Sequence, residues 1–576
     1  MMKMMKMNLM SCPRKKMICI VLTIALLQFV MVILEFHFMK ECFTGDEVYS
    51  FATANSSEAM NPLVDMDGTL HINEWLTPEQ LLRAVVVSED EVFSYGHINE
   101  ILEYDAHPPL YFYLLHFFSS FFIGRFSWIP VIIINSLAIF AGMIYFYRLF
   151  LLISKNRLQA IFAMLFFGCT SAVINLMTFA RNYTLMTSFT VIFTFYIFRS
   201  MQERSLGQKN TKSIILAAVF LYLASMTQYI AIMFGFFITL FVCIYYLLKK
   251  DIRSMLKTGL SMTASIGMMI LSFHYIITQL TTDQTAMENA STFPYSLDLR
   301  VSAFILLNEV FGIKISVYPT MVSFWIFWGC VGLLIVYLIM RFLFRTDDWF
   351  KNIENKCLTK LKTLLRKSKN LQVFQYLSLL VTVIALVMII SYKFKIYFYY
   401  PTSNRYLFIL YPFVAILVLV PAFRVLRYSI LQILLVIGLS VLSLSFGNKT
   451  NIGPSEISIS EAPDIFNGAD VMIVVPNHFY ANHSTLFLGS CNRIFYTTRD
   501  TFYENTDWFA DSLSDDRPLY LLYLWPPYAD SNVNSDMLDF LKDLEDLGVT
   551  TINANPKNHG AKLVAGIGGH ALLRLR

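Results

Sequence analysis

Four short segments of this chain carry side chains whose types and spacing could do chemistry. Asp46 and Glu47 are adjacent in TGDEVYSF, Thr44 to Phe51. Asp105 and His107 precede a proline pair in YDAHPPLYFYLLHFF, Arg181 stands in FARNYTLM, and Arg405 in TSNRYLFIL. A carboxylate held by a neighbour can take a proton from an alcohol, or bind a divalent cation through its oxygens. An imidazole can donate to a phosphate or ligate a metal, and an acid two residues earlier, as Asp105 is to His107, can orient the ring. The planar fork of arginine suits a phosphate. Each arginine is followed within two residues by a tyrosine, Tyr183 and Tyr406, so with the acid pair they point toward one shared phosphate-binding cavity. Each residue also has a plain structural reading. Adjacent acids in a polar loop are solvated surface, a histidine before prolines is a hydrogen-bonded turn residue, and an arginine at the end of an apolar run snorkels to lipid headgroups.

The elements that must position these residues are set by composition. Of 576 residues, 56% are hydrophobic and only 15% charged, with 51 Phe and 31 Tyr. Apolar runs near the roughly 20 residues needed to cross a bilayer recur along most of the chain, which reads as a polytopic α-helical membrane protein. The alternating short segments of a transmembrane barrel are not the pattern. The net charge of +5 sits mostly in short loops and reads as a topology signal, with no nucleic-acid partner. Eight cysteines without CxxC or metal spacing indicate neither a disulfide framework nor a zinc site. Spans are expected at Met17–Leu34, read as an uncleaved anchor, then at Trp128–Ile153, Leu158–Leu176, Tyr183–Phe198, Ile214–Met226, Ile230–Leu248 and Leu260–Ile277. Four more are expected at Met321–Phe344, Val373–Ile390, Leu407–Val420 and Ile430–Phe446.

The run Leu110–Gly124 decides the topology. A crossing there would put the basic loops holding Lys155 and Arg157, Arg199 to Lys212, Lys249 to Lys257 and Lys360 to Lys369 outside, against the positive-inside tendency. An aromatic amphipathic helix lying in the outer interface removes every conflict. That gives about eleven transmembrane helices, a first external loop over 35–127 holding the interfacial helix, and a transmembrane domain over 1–446. Residues 447–576 change character. DVMIVVP, RIFYTT and PLYLLYLWP read as strands and SDMLDFLKDLEDLG as a helix, hence a small C-terminal α/β extracytoplasmic domain.

In order, the first span, GDEVYSF, DAHPPLYFYLLHFF, ARNYTLM, a SMTQYIAI turn and NRYLFILYP resemble the GT-C membrane glycosyltransferases. The likeness is greatest to the group of protein O-mannosyltransferases and bacterial aminoarabinose and lipopolysaccharide-core transferases, and it spans roughly Met17 to Phe446. The resemblance implies transfer of a sugar from a polyprenyl-phosphate-linked donor to a hydroxyl or amine of a glycan, lipid or protein acceptor on the outer face, with inversion. It implies Asp46 as general base with Glu47 assisting, and His107, Arg181 and Arg405 at the donor phosphate. Asp105, Tyr183, Gln228, Tyr229 and Tyr406 would complete the substrate-binding set. Tyr111 stands where some members carry lysine, and Thr227 where a histidine is usual. A divalent cation is the one cofactor the resemblance leaves open. Other readings are a lipid or polysaccharide flippase, which should carry charge within its spans, and a non-catalytic membrane scaffold. Compact loops without retention signals favour a bacterial plasma membrane, with membrane lipids as surroundings.

Overall fold

A computed structural model of the chain describes residues 14–40, 43–57, 73–103, 105, 107–282, 299–313, 371–393, 401–426, 428–449, 466–475, 488–502, 517–524, 542 and 570–574. The expected span Met321–Phe344, the basic loop at Lys360 to Lys369 and, apart from Lys542, the expected C-terminal helix lie outside these residues.

Apolar runs become helices because a chain in lipid can satisfy its backbone only internally. Helix α1 (Arg14–Met39) leads to a short polar helix, α2 (Gly45–Asn55). Helices α3 (Pro78–Arg83), α4 (Gly96–Glu103) and α5 (Leu110–Ser119) follow within the first loop. The bundle continues with α6 (Ile129–Ser154), α7 (Arg157–Gly168), α8 (Ser171–Thr178), α9 (Tyr183–Ser205), α10 (Thr211–Ser225), α11 (Ile230–Leu248) and α12 (Ile252–Ser272). After α13 (Ile276–Thr282) and α14 (Leu299–Phe311) come α15 (Leu371–Lys393), a 3₁₀ segment (Pro401–Leu410), α16 (Tyr411–Val425) and α17 (Ser429–Phe446). Side-chain caps mark several starts. Asn156 accepts from the Leu158 and Gln159 amides, Thr170 from Val173, and Asp251 from Ser254.

Among the described residues seven helices are long and apolar enough to cross a membrane. Helices α7 and α8, bent by 58°, make an eighth if counted as one broken span. At the C-terminal end of α7, Gly168 lies so close to Gln28 that an added Cβ would fall 1.5 Å from its Nε2 and would displace that side chain from its hydrogen bond to Met164 O. Helix α5 has 10 residues, about 15 Å, half the hydrocarbon thickness, so it is too short to span.

Among the described residues two hydrophobic cores result. The larger fills the bundle around α9. The smaller belongs to the first loop, joining Phe36, Phe43, Phe51, Ile98, Leu115 and Ile134 to Ala180, Met226 and Phe273 from the bundle ends. The first loop is therefore a packed layer seated on the helices.

The stretch 278–320, read from the sequence as a loop between the expected spans Leu260–Ile277 and Met321–Phe344, contains α14. Phe304, Ile305, Leu306, Val310 and Phe311 of this helix are buried in the larger core. At 13 residues it is short for a span, which is why its apolar run reads as part of a loop.

The three expected strands form at β2 (Asp470–Val475), β3 (Arg493–Thr498) and β4 (Leu519–Leu524), with β2 central and parallel to both neighbours. Two edge strands were not anticipated: β5 (His570–Arg574) beside β4, and β1 (Trp75–Leu76), from the first loop, beside β3, both antiparallel. The order is β1-β3-β2-β4-β5. The sheet is thus not built from the C-terminal segment alone. Asn73 reinforces the seam, donating from its amide nitrogen to Tyr496 O (2.8 Å) and accepting from Thr497 Oγ1 (2.7 Å).

Candidate active site

The acid pair sits in the first turn of α2, whose positive dipole end favours carboxylates. The two acids then diverge. Glu47 is 0% exposed. Its Oε2 accepts from the Thr44 amide at 2.7 Å, and its Oε1 takes both Lys40 Nζ at 2.5 Å and the Ala180 amide at 2.6 Å. One carboxylate therefore fastens the end of α1, the start of α2 and the α8–α9 loop. Each of these contacts ties one element to another, so in this structure Glu47 fastens the acid-bearing helix in place. Lys40 is itself buried, its ammonium 4.9 Å from the Phe43 ring centroid.

Asp46, one residue earlier, is half-buried and meets the 3₁₀ segment, where Arg405 Nη1 donates to its Oδ2. Arg405 Nη2 also donates to the Tyr406 hydroxyl at 3.2 Å, and its guanidinium lies 5.0 Å from the Tyr406 ring centroid. Arg181 approaches from the other side. It is 4% exposed, and its Nη1 donates to the Asp46 carbonyl (3.1 Å) and to Ser50 Oγ (2.9 Å).

Arg181 Nη2 lies 3.0 Å from His107 Nε2, and His107 Nδ1 lies 2.8 Å from Asp105 Oδ2. A guanidinium can only donate, so Nε2 must accept and the ring proton must sit on Nδ1, donating to Asp105. In this arrangement both ring nitrogens are engaged within the cluster. The proline pair supports this geometry, because Pro108 and Pro109 are buried at the entry to α5 and the Leu110 amide donates to Met226 O at 3.0 Å. Tyr49, half-buried on α2, has its phenol pushed above the usual range by burial and then by Asp105 beside it.

The structure thus brings Asp46, Asp105, His107, Arg181, Arg405 and Tyr406 together. Tyr183 lies within electrostatic reach of Arg405, Arg181 and Asp46, 2% exposed and stacked on Phe179 at 5.8 Å. Gln228 does not join by any contact among the described residues; its Oε1 accepts from the Tyr229 amide at 2.9 Å. The Tyr229 hydroxyl donates to Gln279, while burial and then Asp105 push its phenol up. Tyr111, which stands where some members of the resembling family carry lysine, is buried within electrostatic reach of Arg181 and Glu47. Among the described residues no group of three His, Cys, Asp or Glu side chains could hold a metal.

Sequence reasoning missed Lys40, Ser50 and the Ala180 amide. A lysine at the end of a span looks like a snorkelling residue, and a backbone amide has no sequence signature. It also missed Glu309, an acid inside the apolar run FILLNEVFG, for which charge within a greasy segment is the available signal.

Fold and site define a polytopic α-helical membrane protein with a charged cluster, among the described residues, where its first loop meets the bundle. No family model and no curated protein matches the sequence. Among solved structures the chain is similar to ArnT from Cupriavidus metallidurans in its crystal structure bound to undecaprenyl phosphate, with a TM-score of 0.47 and 9% sequence identity, covering 98% of this chain and 99% of that one.

Proposed function

We propose that the protein is a membrane glycosyltransferase that moves a sugar from a polyprenyl-phosphate donor to an acceptor hydroxyl or amine on the outer face of a plasma membrane. The observation that carries this reading is the Asp46–Arg405 ion pair. It joins residues 359 apart in sequence, is half-buried and is braced from behind by Arg181. A carboxylate beside a guanidinium stays ionised, and it regains its basicity when the guanidinium turns to another anion. The same guanidinium is the group a donor phosphate would seek.

The reading gives the two residues linked roles. When the donor enters, its phosphate takes Arg405 as counter-ion and Asp46 is released to face the acceptor. Asp46 removes the acceptor proton as the acceptor oxygen or nitrogen bonds to the anomeric carbon. The bond from that carbon to the phosphate oxygen breaks, its electron pair leaves on the phosphate, and Arg405 stabilises the charge that develops. A single displacement inverts the anomeric centre. Arg181 and His107 orient the machinery, while Tyr406 and Tyr183 line the donor side.

The experiment is transfer by purified protein supplied with polyprenyl-phospho-hexoses and polyprenyl-phospho-pentoses together with envelope lipid, glycan and peptide acceptors. Sugar-modified acceptor with release of polyprenyl phosphate, lost in Asp46→Asn, is the expected result. Movement of these lipids across reconstituted vesicles without any transfer would overturn the reading in favour of a flippase.

A further inference from the structure

Glu309 lies on α14 at 1% exposure, outside the cluster just described, and its carboxylate is the acceptor for three separate segments. Asn175 Nδ2 of α8 donates to Oε2 at 2.7 Å, Asn404 Nδ2 of the 3₁₀ segment donates to Oε1 at 2.7 Å, and the Tyr411 hydroxyl at the start of α16 donates to Oε2. The Glu309 carbonyl accepts in turn from Ser443 of α17 at 2.9 Å. A buried carboxylate is costly unless its oxygens are satisfied, and such networks persist where they fix geometry. The position of this one is informative. Asn404 is the residue before Arg405, and Asn175 begins the stretch that runs through Phe179 and Ala180 to Arg181.

We infer that Glu309 is a positioning residue for the arginine pair, holding the 3₁₀ segment and the α8–α9 segment in register so that Arg405 reaches both Asp46 and the incoming phosphate. Two fasteners then set the cluster from opposite sides. Glu47 ties the α8–α9 loop to the acid-bearing helix, and Glu309 ties the same stretch to the arginine-bearing turn. The polarity of the network is specific: a carboxylate accepts from two amide groups and a hydroxyl, none of which can accept in its place without rotating. Glu309→Gln puts a second donor opposite Asn404 and breaks that link while keeping the shape. Adding Asn404→Asp reverses the polarity. The introduced amide at position 309 can then donate to the introduced carboxylate at position 404. Its oxygen still accepts from Asn175 and Tyr411, and the number of carboxylates is unchanged.

The inference rests on the proposed transfer only for what Arg405 does to the phosphate, so two readouts are needed. The first is kinetic. Glu309→Gln is expected to raise the donor KM about tenfold, the equivalent of one lost hydrogen bond, with kcat changed much less. The double variant Glu309→Gln, Asn404→Asp is expected to recover most of it. Ser302→Ala removes a buried polar contact of the same helix to Ser391 and should leave KM unchanged. The second readout is amide hydrogen exchange in detergent without ligand. Glu309→Gln should speed exchange selectively in 171–182 and 401–410, and the double variant should slow it again. Unchanged exchange in both segments overturns the positioning role whatever the activity, and so does a rise in KM of the same degree in Ser302→Ala. An enzyme that neither binds a long-chain polyprenyl monophosphate nor transfers sugar would overturn the proposed function, with exchange still deciding the role of Glu309.

Discussion

At the scale of single residues the two acids of TGDEVYSF part company because one helical step separates an open position from a closed one. Asp46 faces Arg405; Glu47 is sealed with Lys40. Asp46→Asn keeps the shape and removes the basicity, so transfer should fall by about a hundredfold or more with donor binding retained. A kcat comparison in folded protein checks this, and near-normal turnover would remove Asp46 as base. Arg405→Lys keeps charge but loses the fork that serves Asp46 and Tyr406 together. Donor KM should rise about tenfold, measured by transfer against donor concentration, whereas a residue that only snorkels to lipid would show no change.

Among elements, α1, α2 and the α8–α9 loop meet at the Lys40–Glu47 pair, buried on both sides. Removing one partner of a buried pair leaves a charge without compensation, a cost of about 3–5 kcal/mol. Lys40→Met should therefore lower the thermal midpoint by several degrees, and Lys40→Met with Glu47→Gln should recover much of the loss, since no bare charge remains. Midpoints in detergent for wild type and both variants test this. Helix α5 carries a pH signature. Burial, then the neighbouring His97, push the His116 imidazole from 6.5 down to about 4, so the fold prefers the neutral ring. The unfolded chain then binds more protons between these values; stability is full above about 6.5 and is lost as pH falls toward 4. A His116→Phe variant, which keeps a ring in the same place, should flatten that part of the midpoint-versus-pH curve.

For the whole molecule the β1–β3 pairing is decisive, because residues 75–76 and 493–498 share a sheet and so lie on one side of any membrane the helices cross. Between them the number of crossings must be even. The ten spans read from the sequence between those segments satisfy this, and an eleventh at Leu110–Ser119 would break it. The basic loops agree. Single cysteines at the exposed positions Arg125, Lys155 and Gln208, in a background without other reactive thiols, should separate under an impermeant maleimide in intact cells. Labelling at Arg125 alone is expected; labelling at Lys155 and Gln208 but not at Arg125 would invert the arrangement and detach the cluster from an outward donor.

Membrane class, most helix positions, the three inner strands and the candidate residues Asp46, His107, Arg181 and Arg405 were legible in the sequence, because hydropathy is a local property and an arginine or acid bordering an apolar run is conspicuous. What the sequence could not assign was partnership. Which arginine meets Asp46, why Glu47 is a fastener, how a two-residue strand of the first loop closes a C-terminal sheet, and how Glu309 reaches both arginine segments depend on contacts between residues hundreds of positions apart. Such contacts are fixed by packing the first-loop layer onto the bundle. Burial decides the rest: the same carboxylate is a solvated acid in an open loop and a structural anchor once three donors surround it and water is excluded.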